Sequence, residues 1–257
     1  MADNAIVTAV TGLVRGMKQR REAVGPVVVL AVLAFGVYAF LAIADEVAEG
    51  EIRALDRWLF LALRNPADPS DPLGPPWLEE VALEITALGG YTLVLLALAA
   101  VVGLLVVTRR HGPALYAVLS VGSGALVSHF LKRYYERPRP DLAAHLDIVH
   151  TPSFPSGHAL VATVAYLTLA ALVIRFFGDL RVRLYVLFMA LVISVAVGIT
   201  RVYLGVHWPS DVAAGWALGA AWASLTWLVA SLLQYRRGNA AKRSGHRQDG
   251  DGQDGGA

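Results

Sequence analysis

The sequence contains no cysteine and few charged residues, and each absence excludes a class of protein. Without cysteine there is no disulfide framework, no thiol nucleophile and no cysteine-based metal site. Only 16% of the 257 residues are charged, whereas an ordinary soluble domain has about 25%. Hydrophobic residues make up 56% of the chain, which excludes both a soluble fold of this size and a disordered chain. The composition therefore indicates a membrane protein.

The charge balance also excludes one class of partner. The net charge is +2, which is too small to indicate nucleic-acid binding, and no basic stripe is interleaved with aromatic residues. We therefore predict the membrane bilayer as the environment of the chain and no nucleic acid as a partner. The sequence carries no signal for an oligomeric state.

Stretches without Asp, Glu, Lys or Arg locate the predicted membrane spans, because about 20 apolar residues cross the hydrocarbon core of a bilayer. Two of the stretches are short, so their helices must extend into the polar segments beside them. We predict an all-α fold, a bundle of six transmembrane helices. The six stretches are residues 24–44, 85–108, 112–131, 159–174, 184–200 and 212–235.

The distribution of basic residues predicts that both termini face the cytoplasm, since cytoplasmic loops are enriched in Lys and Arg. With that orientation, 14 basic residues lie inside and 8 outside. Short loops and an alanine-rich composition suggest a bacterial source, so we predict a multi-pass protein of the cytoplasmic (inner) membrane. The outer basic residues are Arg53, Arg57, Arg64, Lys132, Arg133, Arg137, Arg139 and Arg201.

Composition divides the chain into three parts. We predict a cytoplasmic segment over residues 1–23, the membrane domain over 24–235 and a disordered cytoplasmic tail over 236–257, which is rich in Gly, Asp, Gln and Arg. The outer loop over 45–80 has apolar residues at helical spacing, which predicts an interfacial helix. This loop is either a connector that packs on the bundle or a lateral gate for lipid.

Three short segments are polar where a membrane protein should be apolar, and each lies at the predicted outer end of a span. Residues 132–140 close the third span, 154–158 open the fourth, and 200–211 join the fifth to the sixth. Together they bring guanidinium, ammonium, imidazole and carboxylate groups to one face of the membrane. That face is the predicted site, turned towards the periplasm or the exterior.

The residue types in these segments suit a phosphoryl group. Lys132, Arg139 and Arg201 are hydrogen-bond donors without acceptors, as the non-bridging oxygens of phosphate require. Ser156 and Gly157 open a predicted helix, where free backbone N–H groups and the helix dipole favour an anion. Gly157 has no Cβ, so a phosphate oxygen can approach the backbone there.

The imidazoles suggest acid–base and nucleophilic chemistry. His207 and Asp211 are one helical turn apart, so the carboxylate can orient one ring nitrogen and leave the other free. A nucleophilic imidazole needs this arrangement, and His158 would then protonate the departing oxygen. The residue types alone decide only weakly which histidine attacks.

Each segment also has a simpler interpretation. The basic residues of 132–140 could bind lipid headgroups at the interface, and Pro-Ser-Gly before a helix is an ordinary turn and N-cap. The third segment is harder to explain in this way, because Arg201, His207 and Asp211 adjoin two apolar spans. All three segments, in order and on one face, outweigh the separate simpler interpretations.

At these residues the sequence resembles the type 2 phosphatidic acid phosphatase (PAP2) superfamily, whose signatures are K-x6-RP, PSGH and SR-x5-H-x3-D. Thr200 replaces the usual serine of the third signature and keeps its hydroxyl. The matched spacings are far more specific than a single glycine-rich motif. The matching residues are Lys132, Arg139, Pro140, Pro155, Ser156, Gly157, His158, Arg201, His207 and Asp211.

The resemblance implies a metal-independent phosphatase that forms a phosphohistidine and uses no cofactor. On this basis His207 is the nucleophile, Asp211 its orienting partner and His158 the general acid. The phosphate-binding residues implied are Lys132, Arg139, Ser156, Gly157 and Arg201.

Other residues of these segments receive no catalytic role from the sequence. Arg133, Glu136 and Arg137 occupy variable positions of the first signature. They either tune substrate choice or pair with one another, and we favour pairing. Gly215 and Gly219 are four apart in the sixth span, which predicts close helix packing.

The resulting functional hypothesis is a membrane lipid phosphatase that acts on a lipid phosphomonoester or pyrophosphate. Undecaprenyl pyrophosphate, phosphatidylglycerophosphate and phosphatidic acid all remain open as substrates, and a lipid A phosphatase is the alternative enzyme. A lipid or anion transporter is the alternative outside enzymes. It is disfavoured because the first, second and sixth spans have no ionisable residue near mid-membrane, where a translocation path is expected to have one.

Overall fold

A computed structural model describes residues 2–142, 145–147 and 151–251. These ranges contain eight helices and one antiparallel pair of strands. The helices are α1 (Ala2–Glu49), α2 (Arg53–Leu61), α3 (Pro76–Ala87), α4 (Tyr91–Val107), α5 (His111–Tyr135), α6 (Gly157–Phe176), α7 (Leu180–Tyr203) and α8 (Pro209–Asp251). The strands are β1 (Arg64–Asn65) and β2 (Asp68–Pro72).

The membrane-spanning helices agree with the predicted number. Among the described residues, five helices are long and apolar enough to cross a membrane, and α3 with α4 makes a sixth span, bent by 44°. The predicted bundle of six helices is therefore confirmed, with a short β-hairpin as its one non-helical element in the described ranges. The chain is a multi-pass membrane protein.

The second span differs from its prediction, because residues 85–108 do not form one straight helix. The chain breaks between α3 and α4, at Gly89 and Gly90. A Cβ at Gly89 would lie 2.4 Å from Val197 Cγ1 and 3.2 Å from the carbonyl oxygen of His158. Packing this close requires glycine. The break consequently lies against α7 and the start of α6.

The fourth and fifth spans were predicted to extend into the neighbouring polar segments, and this prediction is confirmed. Helix α6 begins at Gly157, and α7 continues to Tyr203. At the outer end α6 begins two residues earlier and α7 ends three residues later than the charge-free runs, so Gly157, His158 and Arg201 are part of these helices.

Helix α6 lies at the centre of the bundle, where it packs against α5, α7 and α8. A Cβ at Gly215 would lie 2.8 Å from the Ser156 carbonyl oxygen, and one at Gly219 would lie 2.8 Å from Thr163 Cβ. The close packing predicted from these two glycines is confirmed. It holds the start of α6 against the start of α8, where two of the polar segments meet.

The outer loop forms the helix α2 and a β-hairpin, whereas the sequence predicted only a helix. Phe60 of α2 is fully buried, whereas Leu55 and Trp58 are exposed. Buried Arg64 of β1 donates through Nη2 to the carbonyl oxygen of Tyr203 at 2.9 Å. This bond satisfies a free carbonyl at the C-terminus of α7, where a cation is favourable. The loop thus packs on the bundle, as the connector interpretation expects.

Helix α8 continues to Asp251, past residue 235 where the predicted membrane domain ends. Alanines, lysine and arginines between 236 and 243 are good helix formers, which accounts for the continuation. Residues 252–257 of the predicted tail lie outside the described residues. The division of the chain at residues 24 and 235 stays a prediction.

Candidate active site

Four helix ends bring the polar segments together. Lys132 lies in the last turn of α5, Arg201 in the last turn of α7 and Asp211 in the first turn of α8. The backbone N–H of Ser156 donates to the Asp211 carbonyl oxygen at 2.9 Å, which ties the start of α6 to α8. The three segments therefore form one site at one end of the bundle.

His207 lies at the bottom of this site, with 2% of its surface exposed. Its Nδ1 is 3.4 Å from Asp211 Oδ2 and 3.3 Å from Ser153 Oγ. The same Asp211 oxygen accepts hydrogen bonds from the Trp208 N–H at 2.9 Å and from Ser153 Oγ. A carboxylate beside Nδ1 favours the tautomer that carries its proton there, so the lone pair is on Nε2.

Nε2 of His207 faces Arg139, whose Nη1 is 3.3 Å away. Burial lowers the pKa of His207 well below its usual value, and Lys132, Arg139 and Arg201 lower it further. The imidazole is therefore neutral at neutral pH, as a nucleophile must be.

Arg139 is held by the loop before α6 and by the loop after α7. Its Nε donates to the Thr151 carbonyl oxygen at 2.8 Å, and its Nη1 donates to the Val206 carbonyl oxygen at 2.5 Å. Burial is the main reason that its pKa falls to about 10, with Arg201 adding to the effect. Arg139 is thus a fixed cation at neutral pH, placed directly in front of His207.

Lys132 and Gly157 face each other across the start of α6. Lys132 Nζ donates to the Pro152 carbonyl oxygen at 2.5 Å. A Cβ on Gly157 would lie 3.4 Å from Lys132 Cε, in the space between the lysine and the helix N-terminus. The Ser156 hydroxyl is buried and makes no hydrogen bond with any described residue. This arrangement leaves donors for an anion at the helix N-terminus.

Arg201 is completely buried. Its Nη1 donates to Thr86 Oγ1 at 3.1 Å and to Asp147 Oδ2 at 2.6 Å. Its Nε and Nη2 make no hydrogen bond with any residue that the structure describes. A buried guanidinium with two unused nitrogens is suited to a further anionic partner.

His158 lies in the first turn of α6, beside the break between α3 and α4. A Cβ on Gly90 would lie 3.8 Å from His158 Nε2, in ordinary van der Waals contact. His158 follows Ser156 by two residues, and the Ser156 N–H donates to the Asp211 carbonyl oxygen. The two imidazoles therefore lie at the same end of the bundle.

One part of the site was not predicted. Arg137 does not pair with Arg133 or Glu136, as interpreted from the sequence, but with Asp211 at 2.6 Å and with Asp56 of α2 at 2.7 Å. The earlier interpretation was wrong because Asp56 is 81 residues away in the chain, and no local pattern links the two. The only available signal was an acidic residue within the apolar pattern of the outer loop.

A cavity of about 500 Å³ opens beside the site, between the outer end of α1, α2 and the segment after α5. Arg139 and Trp208 form its inner wall, and Arg53 and Arg57 of α2 also line it. Ala48 and Tyr135 are shared with a second, mainly apolar groove of about 900 Å³ along α1 and α5. The cavity thus adjoins Arg139 on one side and this apolar groove on the other.

Within the described ranges, no group of three or more His, Cys, Asp or Glu side chains is arranged to hold a metal ion. The hydrogen-bond donors of the site are cationic or neutral groups. Its carboxylates, Asp147 and Asp211, each pair with an arginine. Such a donor set fits an anion better than a divalent cation, which prefers several oxygen ligands.

Comparison with known proteins finds related sequences and a related fold. The profile of the PAP2 superfamily matches residues 113–235. Phosphatidylglycerophosphatase B of Bacillus subtilis is 39% identical over 150 residues, which cover 56% of this chain and 71% of that protein. Decaprenylphosphoryl-5-phosphoribose phosphatase of Mycobacterium tuberculosis is 36% identical over 128 residues, 47% of this chain and 63% of that protein.

A solved structure has the same architecture. The transmembrane PAP2 type phosphatidylglycerolphosphate phosphatase from Bacillus subtilis superposes with a TM-score of 0.63 at 30% identity. The match covers 77% of this chain and 93% of that chain. It includes most of the bundle, beyond the range matched by the family profile.

Proposed function

The chain belongs to the PAP2 superfamily and is a membrane lipid phosphatase, and on this premise we propose that it removes the terminal phosphate of a lipid through a phosphohistidine on His207. The observation that carries the proposal is the position of His207 Nε2, which faces Arg139 while Asp211 lies at Nδ1. One imidazole nitrogen is thereby oriented and the other is directed at an anion site.

The first step is attack of Nε2 of His207 on the phosphorus atom. An N–P bond forms, and the bond from phosphorus to the lipid oxygen breaks. His158 donates a proton to the departing oxygen, so the lipid leaves as an alcohol or, from a pyrophosphate, as a phosphate. Asp211 stabilises the imidazolium that develops on His207.

Water completes the reaction. It attacks the phosphorus of the phosphohistidine, His158 accepts a proton from it, and the N–P bond breaks to release inorganic phosphate and neutral His207. Phosphoryl transfer depends mainly on positioning and on charge compensation at the equatorial oxygens. Lys132, Arg139, Arg201, the Ser156 hydroxyl and the N–H group of Gly157 supply that compensation, so the chemistry needs no metal.

The cavity beside the site favours lipids with a second phosphate group. A lipid with its tail in the apolar groove and its terminal phosphate at His207 must place the intervening atoms in this cavity, next to Arg53 and Arg57. Among the described residues neither arginine forms an ion pair. The lipids in the names of these two relatives, phosphatidylglycerophosphate and decaprenylphosphoryl-5-phosphoribose, each contain one internal and one terminal phosphate. Phosphatidylglycerophosphate and undecaprenyl pyrophosphate therefore fit better than phosphatidic acid.

The proposed location is the cytoplasmic (inner) membrane, with the site facing the periplasm or the exterior. The 14 basic residues assigned inside exceed the 8 outside, which supports this orientation. Three of the eight, Lys132, Arg139 and Arg201, converge on the site. Their position there explains why the outer side carries so much positive charge.

A phosphate-release assay on the purified full-length protein in detergent tests the proposal. The panel contains phosphatidylglycerophosphate, undecaprenyl pyrophosphate, phosphatidic acid and lipid A, each with and without EDTA. We expect release from one of the first two, undiminished by EDTA. Release from lipid A alone would favour the alternative enzyme, release from no lipid would favour a transporter, and an EDTA loss reversed by Mg²⁺ would contradict the metal-independent mechanism.

Replacing Arg53 and Arg57 by Gln is expected to lower kcat/KM for phosphatidylglycerophosphate about 10-fold, as loss of charge-assisted hydrogen bonds predicts. The same variant should change kcat/KM for phosphatidic acid of matched acyl chains less than about twofold, because this lipid has no internal phosphate. Arg133→Gln, which removes an exposed arginine in the last turn of α5 outside the cavity, is the matched control. Equal losses on both lipids would refute the preference.

A further inference from the structure

Asp56 is a buried carboxylate that the proposed reaction does not use directly. Only 2% of its surface is exposed, although it lies on the outer-loop helix α2. It accepts hydrogen bonds from the Ser210 N–H at 2.9 Å, from Ser210 Oγ at 2.6 Å and from Arg137 Nη2 at 2.7 Å. A buried charge is tolerated only when it is paired and hydrogen-bonded in this way. These bonds fix α2 to the first turn of α8.

Arg137 connects Asp56 with the site. Its Nη1 donates to Asp211 Oδ1 at 2.6 Å and to Ser210 Oγ at 2.8 Å, while its Nη2 donates to Asp56. The planar guanidinium therefore has one carboxylate on each terminal nitrogen. Such a fork holds its partners in a defined geometry, which a lysine ammonium cannot do.

The two oxygens of Asp211 have different tasks. Oδ1 is bound by Arg137, whereas Oδ2 lies at His207 Nδ1 and accepts from the Trp208 N–H and from Ser153 Oγ. Rotation of the carboxylate would break contacts on both sides. Arg137 consequently determines the plane in which Asp211 meets the imidazole.

From this geometry, and resting on the proposed function, we infer that Arg137 and Asp56 are positioning residues of the reaction: Asp56 on α2 holds Arg137, and Arg137 holds the Asp211 carboxylate that orients His207. Neither residue is among the ligands proposed for the terminal phosphate, although both line the cavity beside the site. The outer-loop helix is thereby coupled to the nucleophile through three side chains in a row. A connector that only packs on the bundle would not need this link.

The inference predicts opposite electrostatic effects for the two residues. His207 attacks as the neutral imidazole, so kcat/KM is retained above its pKa and lost as the pH falls through that pKa. Since burial lowers this pKa, the acid limb of wild type lies below about 6.5, the ordinary histidine value. Removing the positive charge of Arg137 raises the pKa, and removing the negative charge of Asp56 lowers it. The charged and titratable groups that face His207 are Lys132, Arg139, His158, Arg201, Asp211 and, across Asp211, Arg137.

The experiment compares Arg137→Gln and Asp56→Asn with wild type as full-length protein in detergent, with phosphatidylglycerophosphate as substrate. We expect kcat to fall about 10- to 100-fold for Arg137→Gln, as for other partners that orient a functional histidine, with KM changed less than about threefold because the phosphate ligands remain. The acid limb of kcat/KM should move to higher pH for Arg137→Gln and to lower pH for Asp56→Asn. Titration of the substrate is common to all variants and cancels in the comparison.

Conservative variants separate positioning from folding. Arg137→Lys keeps the charge but not the fork, so we expect its acid limb to stay near that of wild type while kcat remains low. Arg133→Gln removes an exposed arginine near the same helix end and should behave as wild type. If Arg137→Gln does not fold, the kcat values of Arg137→Lys and Asp56→Glu are compared with that of wild type instead.

A second measurement does not require turnover. NMR of histidine-labelled protein follows the titration of His207, whose signal is assigned by its loss in His207→Ala. Opposite shifts in Arg137→Gln and Asp56→Asn support the inference even if wild type hydrolyses no lipid of the panel, an outcome that would count against the proposed function alone. Unchanged kcat, or limbs and titrations that shift in the same direction, would overturn the positioning role.

Discussion

Replacing His207 by alanine is expected to abolish turnover, with kcat reduced by at least about 10⁴-fold, as for loss of a nucleophile in other enzymes with covalent intermediates. Nε2 contacts the Arg139 cation, which is not a nucleophile, and the nearby Asp211 carboxylate is occupied by Arg137, Ser153 and the Trp208 N–H. The expected loss therefore concerns the chemical step and leaves lipid binding largely intact.

Two measurements check this prediction. The first is phosphate release under saturating lipid, and the second is trapping of radiolabelled phosphate on the protein after denaturation in alkali, where phosphohistidine is stable. Wild type should carry label and His207→Ala none. His129→Ala, which removes an exposed histidine of α5, is the matched control and should keep both signals. Substantial turnover by His207→Ala, or label on another residue, would show that His207 is not the nucleophile.

Much of the fold could be predicted from the sequence because its cause is local. A membrane span is a run of apolar residues, and the required length follows from the thickness of the bilayer. The start of α6 at Gly157 and the end of α7 at Tyr203 follow from the same arithmetic, since the two shortest runs must be extended. The bend between α3 and α4 depends instead on contact with Val197 and His158, so the glycines alone did not reveal it.

The candidate site likewise contains contacts that could be predicted from the sequence and contacts that could not. His207 and Asp211 are one helical turn apart, so their proximity could be read from spacing, and the matched signatures pointed to the same pair. Asp56 and Ser210 are 154 residues apart, and their contact exists only because α2 folds back onto the start of α8. Asp147 and Arg201, 54 residues apart, are a similar case. A single sequence gives no physical signal for pairs of this kind.

The second prediction concerns Arg201, which we expect to contribute more than any other single phosphate ligand. Arg201→Gln should lower kcat/KM by roughly 10²- to 10³-fold, the usual effect of removing one preorganised donor to transition-state charge. The side chain is completely buried, yet Nε and Nη2 have no hydrogen-bond partner among the described residues. Leaving such groups unpaired is costly, and a phosphate oxygen is the partner that the site can receive.

Variants at neighbouring positions sharpen the test. Arg201→Lys keeps the charge but not the two unused nitrogens, so it should recover only part of the activity. Arg183→Gln, an exposed arginine at the opposite end of α7, should behave as wild type. If Arg201→Gln kept more than about a third of wild-type kcat/KM, well outside the range expected for a preorganised donor, Arg201 would not be a ligand of the transition state.

Asp147 provides an independent check of the same assignment, because its carboxylate accepts a hydrogen bond from Arg201 Nη1 at 2.6 Å. Asp147 and a phosphate on Nε and Nη2 would share the charge of one guanidinium, so the two anions compete for it. Asp147→Asn removes that competing charge, so inorganic phosphate should inhibit this variant at lower concentration than it inhibits wild type. The effect must disappear in the Arg201→Gln background, since the arginine is the group for which they compete. Additive effects of the two substitutions would mean that Asp147 and the phosphate do not share Arg201.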